Sequence, residues 1–263
     1  MKTQQLFDVA GRVALVTGAA GGLGFAMAEV LADNGAHVVM TDIDTDRMAT
    51  AAQRLLDAGL RVETIALDVT RAVSVAAAVD EVVDRHGRLD IAIVNAGVSI
   101  GPGFTAPEGQ IENVRVGDWQ RVLDVNLSGA FCTLQAVTAL MKRQAAGRII
   151  VIGSMAGMRS QPSIGYAYVA SKAAITAVTR QAALEMAPFG VAVNGIAPGP
   201  FSTQIAGGRI NHPDVAPRFA AMNPLNRVAS ASEIQGATLL LASDAGSFMT
   251  GAILAVDGGM SAL

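Results

Sequence analysis

Cysteine is almost missing from this sequence: Cys132 stands alone, so no internal disulfide can form, which suits a reducing compartment. Charge is scarce as well. Only 16% of residues are charged, 19 basic against 22 acidic, and the net −3 gives no electrostatic reason to expect nucleic acid or an anionic membrane as a partner. No apolar run reaches membrane-spanning length, and residues 1–11 lack the apolar core of a signal peptide, so the expected location is the cytoplasm. Long linkers, internal repeats and low-complexity tracts are absent too, and 1–263 reads as a single domain. His37, His86 and His212 are scattered, and with Cys132 they show no metal-ligand spacing, so no metal is expected.

Apolar residues are plentiful. At 51% they exclude disorder and fit a sheet buried on both faces. Short β-branched runs at 13–16, 36–41, 62–66, 91–94, 149–152, 191–196 and 253–256 predict strands. Between them 25–34, 45–58, 73–86, 119–144, 168–186 and 233–242 predict helices. That alternation implies an α/β fold, a single-domain Rossmann-type doubly wound parallel sheet of about seven strands with helices on both faces. Two connections are longer than the rest, 98–118 and 198–226. Both follow strand carboxyl ends, where such sheets hold ligands, so the first reads as a flap or a solvent-facing insertion and the second as a substrate-binding loop.

After the first strand runs Thr17-Gly18-Ala19-Ala20-Gly21-Gly22-Leu23-Gly24, spaced T-G-x-x-x-G-x-G. Gly18 permits a tight turn, Gly22 lets backbone approach pyrophosphate, and Gly24 lets the helix lie close to the strand. The helix amino end then offers N–H groups and positive dipole to phosphate. Asp42, at the end of the second strand, suits the adenosine ribose hydroxyls and repels a 2′-phosphate, which favours NAD over NADP. Asp44 and Thr45 are better placed than Asp42 to cap the next helix. Asp42, Asp44 and Asp46 imitate the start of a calcium loop, but Arg47 and Gln53 replace its required Gly and Glu. Asn126-Leu127-Ser128 matches a glycosylation acceptor inside an apolar helix, the wrong setting for one.

Tyr168 and Lys172 stand at i and i+4, on one helix face. A phenol titrates near pH 10, so as a base at neutral pH it needs positive charge beside it. Ser154, in the loop after the fifth strand, can hold a substrate oxygen for that phenol. Asn126 is a polar residue in an apolar helix, either satisfied by backbone or holding a water that links Lys172 to solvent.

Taken in order, Thr17–Gly24, Asp68-Val69, Asn95-Ala96-Gly97, Asn126, Ser154, Tyr168 to Lys172, Asn194, Pro198-Gly199 and Asp257-Gly258-Gly259 resemble the classical short-chain dehydrogenase/reductase family over essentially the whole chain. The resemblance implies a catalytic set of Asn126, Ser154, Tyr168 and Lys172. It also implies that Leu23, Asp42, Asp68, Val69 and Asn95 line the adenosine half of NAD. Ala96, Gly97, Pro198 and Gly199 belong to the same cofactor surface, and Phe201 backbone and the Thr203 hydroxyl would reach the carboxamide. A homotetramer packed through 119–144, 168–186 and the last strand is likewise implied. Segment 98–118 is longer than the family usually carries, which leaves the substrate open. Met155, Met158, Phe201, Ile205 and Met222 suit an apolar pocket wall for a secondary alcohol or ketone, or are ordinary core. Arg159 and Arg209 keep a carboxylated or acyl-carrier substrate open, so polyol and 3-oxoacyl substrates stand as alternatives. A catalytically silent NAD sensor is the rival of another class.

Overall fold

The computed structural model describes residues 3–262. After a one-turn helix α1 (Thr3–Leu6) the chain alternates β1 (Val13–Thr17), α2 (Gly22–Asp33), β2 (His37–Asp42), α3 (Thr45–Asp57), β3 (Val62–Ala66), α4 (Ala72–His86) and β4 (Ile91–Val94). The second half runs α5 (Val116–Leu123), α6 (Ala130–Gln144), β5 (Gly147–Ile152), α7 (Tyr166–Met186), β6 (Val191–Pro198), α8 (Ala216–Ala221), α9 (Gln235–Ala242) and β7 (Ile253–Val256). All seven strands pair in parallel, in the order β3-β2-β1-β4-β5-β6-β7. The chain reverses direction across the sheet between β1 and β4, which opens a crevice at their carboxyl ends.

Because strand side chains alternate, each strand feeds two cores. Ala14, Val16, Met40, Ile93 and Ile150 pack under α2, α3 and α9 with Met27, Leu31, Leu55 and Leu241. Val13, Leu15, Val39, Val94 and Val151 pack under α4, α6 and α7 with Val79, Val82, Leu134, Met141 and Ile175. Every residue of β1, β4 and β6 is buried, so these read as continuous apolar runs rather than alternating ones. Asp44 caps α3, accepting from the Arg47 N–H at 3.1 Å, as its position beside Thr45 suggested.

The fold class and the strand positions agree with the sequence reading. One helix does not. The continuous helix expected over 119–144 contains a π-helical stretch, Asp124–Gly129, between α5 and α6. Hydrophobic periodicity carries no mark of it, since one wide turn leaves the apolar pattern on either side intact. The whole stretch Val116–Gln144 has the length and apolarity of a membrane span, but Leu134, Val137 and Met141 cover the sheet in the manner of a core helix.

Candidate active site

A cleft of about 1390 Å³ runs along the carboxyl ends of the strands, and every residue assigned above to the cofactor lines it. Its nucleotide side is built from close approaches. Gly18 and Gly22 have φ of +68° and +56°, the left-handed region that glycine adopts freely. At Gly24 a Cβ would lie 2.1 Å from the Gly18 carbonyl oxygen and 2.6 Å from Asn95 Nδ2, so only glycine brings α2 this near β1. Asn95 fastens the turn, donating from Nδ2 to the carbonyls of Thr17 (2.9 Å) and Gly18 (3.0 Å). The Asn95 and Ala96 N–H groups donate to Thr17 Oγ1 at 2.9 and 3.1 Å.

Asp42 is similarly held: Oδ2 accepts from the Ala20 N–H at 3.1 Å and Oδ1 from the Asp44 N–H at 3.0 Å. The carboxylate is therefore aimed before any ribose arrives. Asp68 accepts from the Thr70 N–H and hydroxyl, and Val69 packs against Gly129, where a Cβ would meet it at 2.8 Å. A narrow glycine turn, a helix amino end and an aimed carboxylate fit a dinucleotide. Sequence reading missed one cleft residue here. The guanidinium of Arg47 reaches back from α3, with Nη2 3.1 Å from where a Gly21 Cβ would sit. No pattern within the glycine loop announces it.

At the chemical end Ser154, Tyr168 and Lys172 share the cleft wall. Ser154 and Lys172 are buried and Tyr168 is half-buried. Lys172 Nζ donates to the Ile152 carbonyl at 2.7 Å and lies 5.7 Å from the centroid of the Tyr168 ring. Burial drives the Lys172 pKa down to about 8, since the interior penalises its charge. Burial also raises the Tyr168 pKa, opposed by a hydrogen bond from the Ser154 side chain. Ser154 Oγ itself accepts from the Ala156 N–H at 3.1 Å, which fixes its orientation.

Asn126 stands inside the π-helical stretch, behind the cleft wall rather than in it. Its Oδ1 accepts from the Val98 N–H at 2.7 Å, and its Nδ2 donates to the Val98 carbonyl (2.9 Å) and Ser171 Oγ (3.2 Å). Those bonds tie the start of the 98–118 segment to α7. Lys172 Nζ is near: a Cβ on Gly97 would meet Asn126 Oδ1 at 3.3 Å and Lys172 Nζ at 3.7 Å.

The substrate side is made by the two long connections. Val98, Ser99, Ile100 and Pro102 line the cleft, and Pro102 forms a bridge with Ile164, so the first part of 98–118 is docked there. In the second connection Phe201 is buried and bridged to Ala229, and the Thr203 side chain stands over the glycine loop, 3.4 Å from a Cβ on Gly22. Of the expected apolar wall, Met155, Phe201 and Ile205 line the cleft, whereas Met158 and Met222 do not. Arg209 lines it and donates to the Ser163 carbonyl at 3.1 Å. Arg159 instead holds the Met260 carbonyl at 2.9 Å. Asn194 serves the sheet, joining the Met249 carbonyl and the Ala252 N–H.

Comparison with known proteins agrees with this geometry. The family model described as enoyl-(acyl carrier protein) reductase matches residues 18–261. Cis-4-hydroxycyclohexanecarboxylate dehydrogenase of Sinomonas cyclohexanicum is 39% identical over 253 residues, covering 96% of this chain and 97% of its own. Cyclohexanol dehydrogenase of Rhodococcus sp. (strain TK6) is 38% identical over 273 residues, 95% of this chain and 96% of its own. A gluconate 5-dehydrogenase from Burkholderia cenocepacia J2315, solved in complex with NADP and tartrate, superposes with a TM-score of 0.91 at 32% identity over 100% of both chains. Fold, cleft and full-length relatives together place the chain in the short-chain dehydrogenase/reductase family, as an oxidoreductase with alcohol and hydroxy-acid dehydrogenases for relatives.

Proposed function

We propose that this chain moves a hydride between NAD(H) and a secondary alcohol or its ketone, with Tyr168 as general acid/base. The observation that carries the reading is the convergence of Tyr168, Ser154 and Lys172 on the cleft that the glycine turn and Asp42 line. Bound there, the nicotinamide would accept the hydride in oxidation and return it in reduction. The chain handles the oxygen and its proton. Ser154 donates to the substrate oxygen and holds it beside the phenol. Tyr168, as phenolate, takes the hydroxyl proton while the carbonyl forms, and in reduction the phenol returns it. Lys172 stabilises the phenolate by its charge, and Asn126 positions the Val98 backbone and α7 around it.

The cleft suits a compact, ring-sized alcohol. Met155, Phe201 and Ile205 supply apolar surface, and Arg209 supplies a cation at the same side. Relatives named for cyclohexanol and for hydroxycyclohexanecarboxylate support that size and chemistry. Polyol and 3-oxoacyl substrates are the alternatives, with 5-keto-D-gluconate 5-reductase of Escherichia coli a polyol-side relative at 33% identity. The docked start of 98–118 supports its reading as a flap over the substrate. Exposed Phe131 and Leu184 on α6 and α7 support a homotetramer packed through those helices. One observation favours a second cofactor: Arg47 beside the glycine turn suits a 2′-phosphate, and NADP is bound in a structural neighbour.

The test is NADH and NADPH binding by fluorescence, then turnover on cyclic secondary alcohols, hydroxy acids, polyols and 3-oxoacyl thioesters. Tyr168→Phe should cut turnover by about a thousandfold and leave NADH affinity nearly unchanged. Binding without turnover across the panel would instead support the silent sensor.

A further inference from the structure

The two sheet ends are chemically unalike, and the amino end holds a group that the active site does not use. His37 opens β2, Glu63 is the second residue of the edge strand β3, and His86 closes α4. The parallel register sets Glu63 opposite Val39, so His37 and Glu63 point to one face of the sheet, the face α4 covers. One ligand atom from each of His37, Glu63 and His86 then lies within 4.8 Å of the other two. Residues scattered in the sequence thus meet in space.

We infer that His37, Glu63 and His86 form a structural binding site for a divalent transition metal, Zn²⁺ by ligand type, which clips the end of α4 to the two outer strands. The carboxylate is arranged for it. Glu63 Oε2 pairs with Arg85 Nη1 at 3.0 Å, while Oε1 faces both rings, 2.5 Å from His86 Nε2 and 3.8 Å from His37 Nε2. Two ligand atoms on one tetrahedral zinc stand roughly 3.4 Å apart, so small side-chain shifts suffice to admit the ion. His37 Nε2 is buried with no hydrogen-bond partner, which is costly for an imidazole unless something occupies it. Burial and the neighbouring His86 also keep His37 inclined to the neutral form that ligates. Among charged neighbours, Arg61 and Arg85 oppose a cation, and Glu81, paired to Arg85, offsets one of the two. Arg85, on the second carboxylate oxygen, is a positioning residue that orients Glu63. Water would complete the coordination.

The experiment uses the untagged full chain, stripped with EDTA and titrated with ZnCl₂ by calorimetry, with MgCl₂ as control. One equivalent of Zn²⁺ should bind per chain and no Mg²⁺. A hundredfold excess over Kd should raise the melting temperature by about 5–10 °C. His37→Ala and His86→Gln should each weaken Zn²⁺ at least about tenfold while leaving kcat and KM unchanged. Should a variant fold poorly, the wild-type chain still decides the matter. Zn²⁺ should protect His37 and His86, but not His212, from diethyl pyrocarbonate as read by peptide mass spectrometry. Unaltered Zn²⁺ affinity when His37→Ala and His86→Gln are combined, equal modification of all three histidines, or no saturable binding below about millimolar Zn²⁺ would overturn the site and leave a plain His86–Glu63 ion pair.

Discussion

The nucleotide side and the substrate side of the cleft are built by different means. Around the glycine turn the backbone is the working surface. Gly18 and Gly24 leave no room for side chains, Gly22 takes a left-handed backbone, and Asn95 and Asp42 are held in place by main-chain groups. On the other side the wall is made of side chains carried on loops, among them Ile205, which is 41% exposed, and Arg209 on a short 3₁₀ segment. Backbone recognition needs particular residues at particular spacings. Side-chain recognition tolerates many residues, so long as the loop keeps its course. The first half is therefore fixed by geometry and the second by local chemistry.

Substitutions can break that contrast in graded steps. The largest effect belongs to Gly24→Ala, whose methyl group collides with the Gly18 carbonyl and Asn95. It should cost about 3 kcal/mol of stability by urea unfolding and weaken NADH at least about a hundredfold. Wild-type affinity in a stable variant would show that the close approach is not needed.

Next comes pH. Burial lowers Lys172 to about 8 and raises Tyr168, so the pair, sharing its protons, gives up the first of them around pH 8. Alcohol oxidation needs the pair short of one proton. Its kcat/KM should climb about tenfold per pH unit below the midpoint and level off above it, while ketone reduction falls over the same window. Lys172→Met should move the midpoint to higher pH, and a flat profile in the parent enzyme would discard the pair. Folding stability follows the same group. The folded value of Lys172 lies below the ordinary 10.5, so its buried charge costs stability in full below about pH 8, and that cost vanishes as the pH passes 10.5.

The smallest effects sharpen the cofactor choice. Asp42→Ala should weaken NADH about tenfold and narrow its advantage over NADPH. Arg47→Ala should change NADH affinity by less than about threefold. A marked loss of NADPH binding in Arg47→Ala, with NADH hardly bound by the parent, would reverse the assignment.

The same contrast decides what could be read in advance. That the glycine turn, Asp42, Ser154 and the Tyr168–Lys172 pair line one cleft was legible, because the motifs follow the carboxyl ends of their strands. The strands were legible from their apolar runs. The π-helical stretch around Asn126 was not, because one wide turn scarcely alters hydrophobic spacing. Arg47 was not, because only the path of α3 returns it to the glycine turn. Met158 and Met222 looked like pocket wall by residue type, but loop geometry leaves them out of it. His37, Glu63 and His86 stand too far apart in the sequence for any spacing rule, and it is strand register that collects them.

Strand order carries one more consequence, for how the molecule is made. β2 joins β1, β3 joins β2, β4 takes the other edge of β1, and β5, β6 and β7 extend outward in turn. Each strand that leaves the ribosome meets an edge that is still free, and no pairing has to reopen to admit a later one. The sheet can therefore grow at the pace of synthesis. Thr203, which stands over Gly22, follows β6 in the chain, so the glycine turn is roofed only after six of the seven strands have been made.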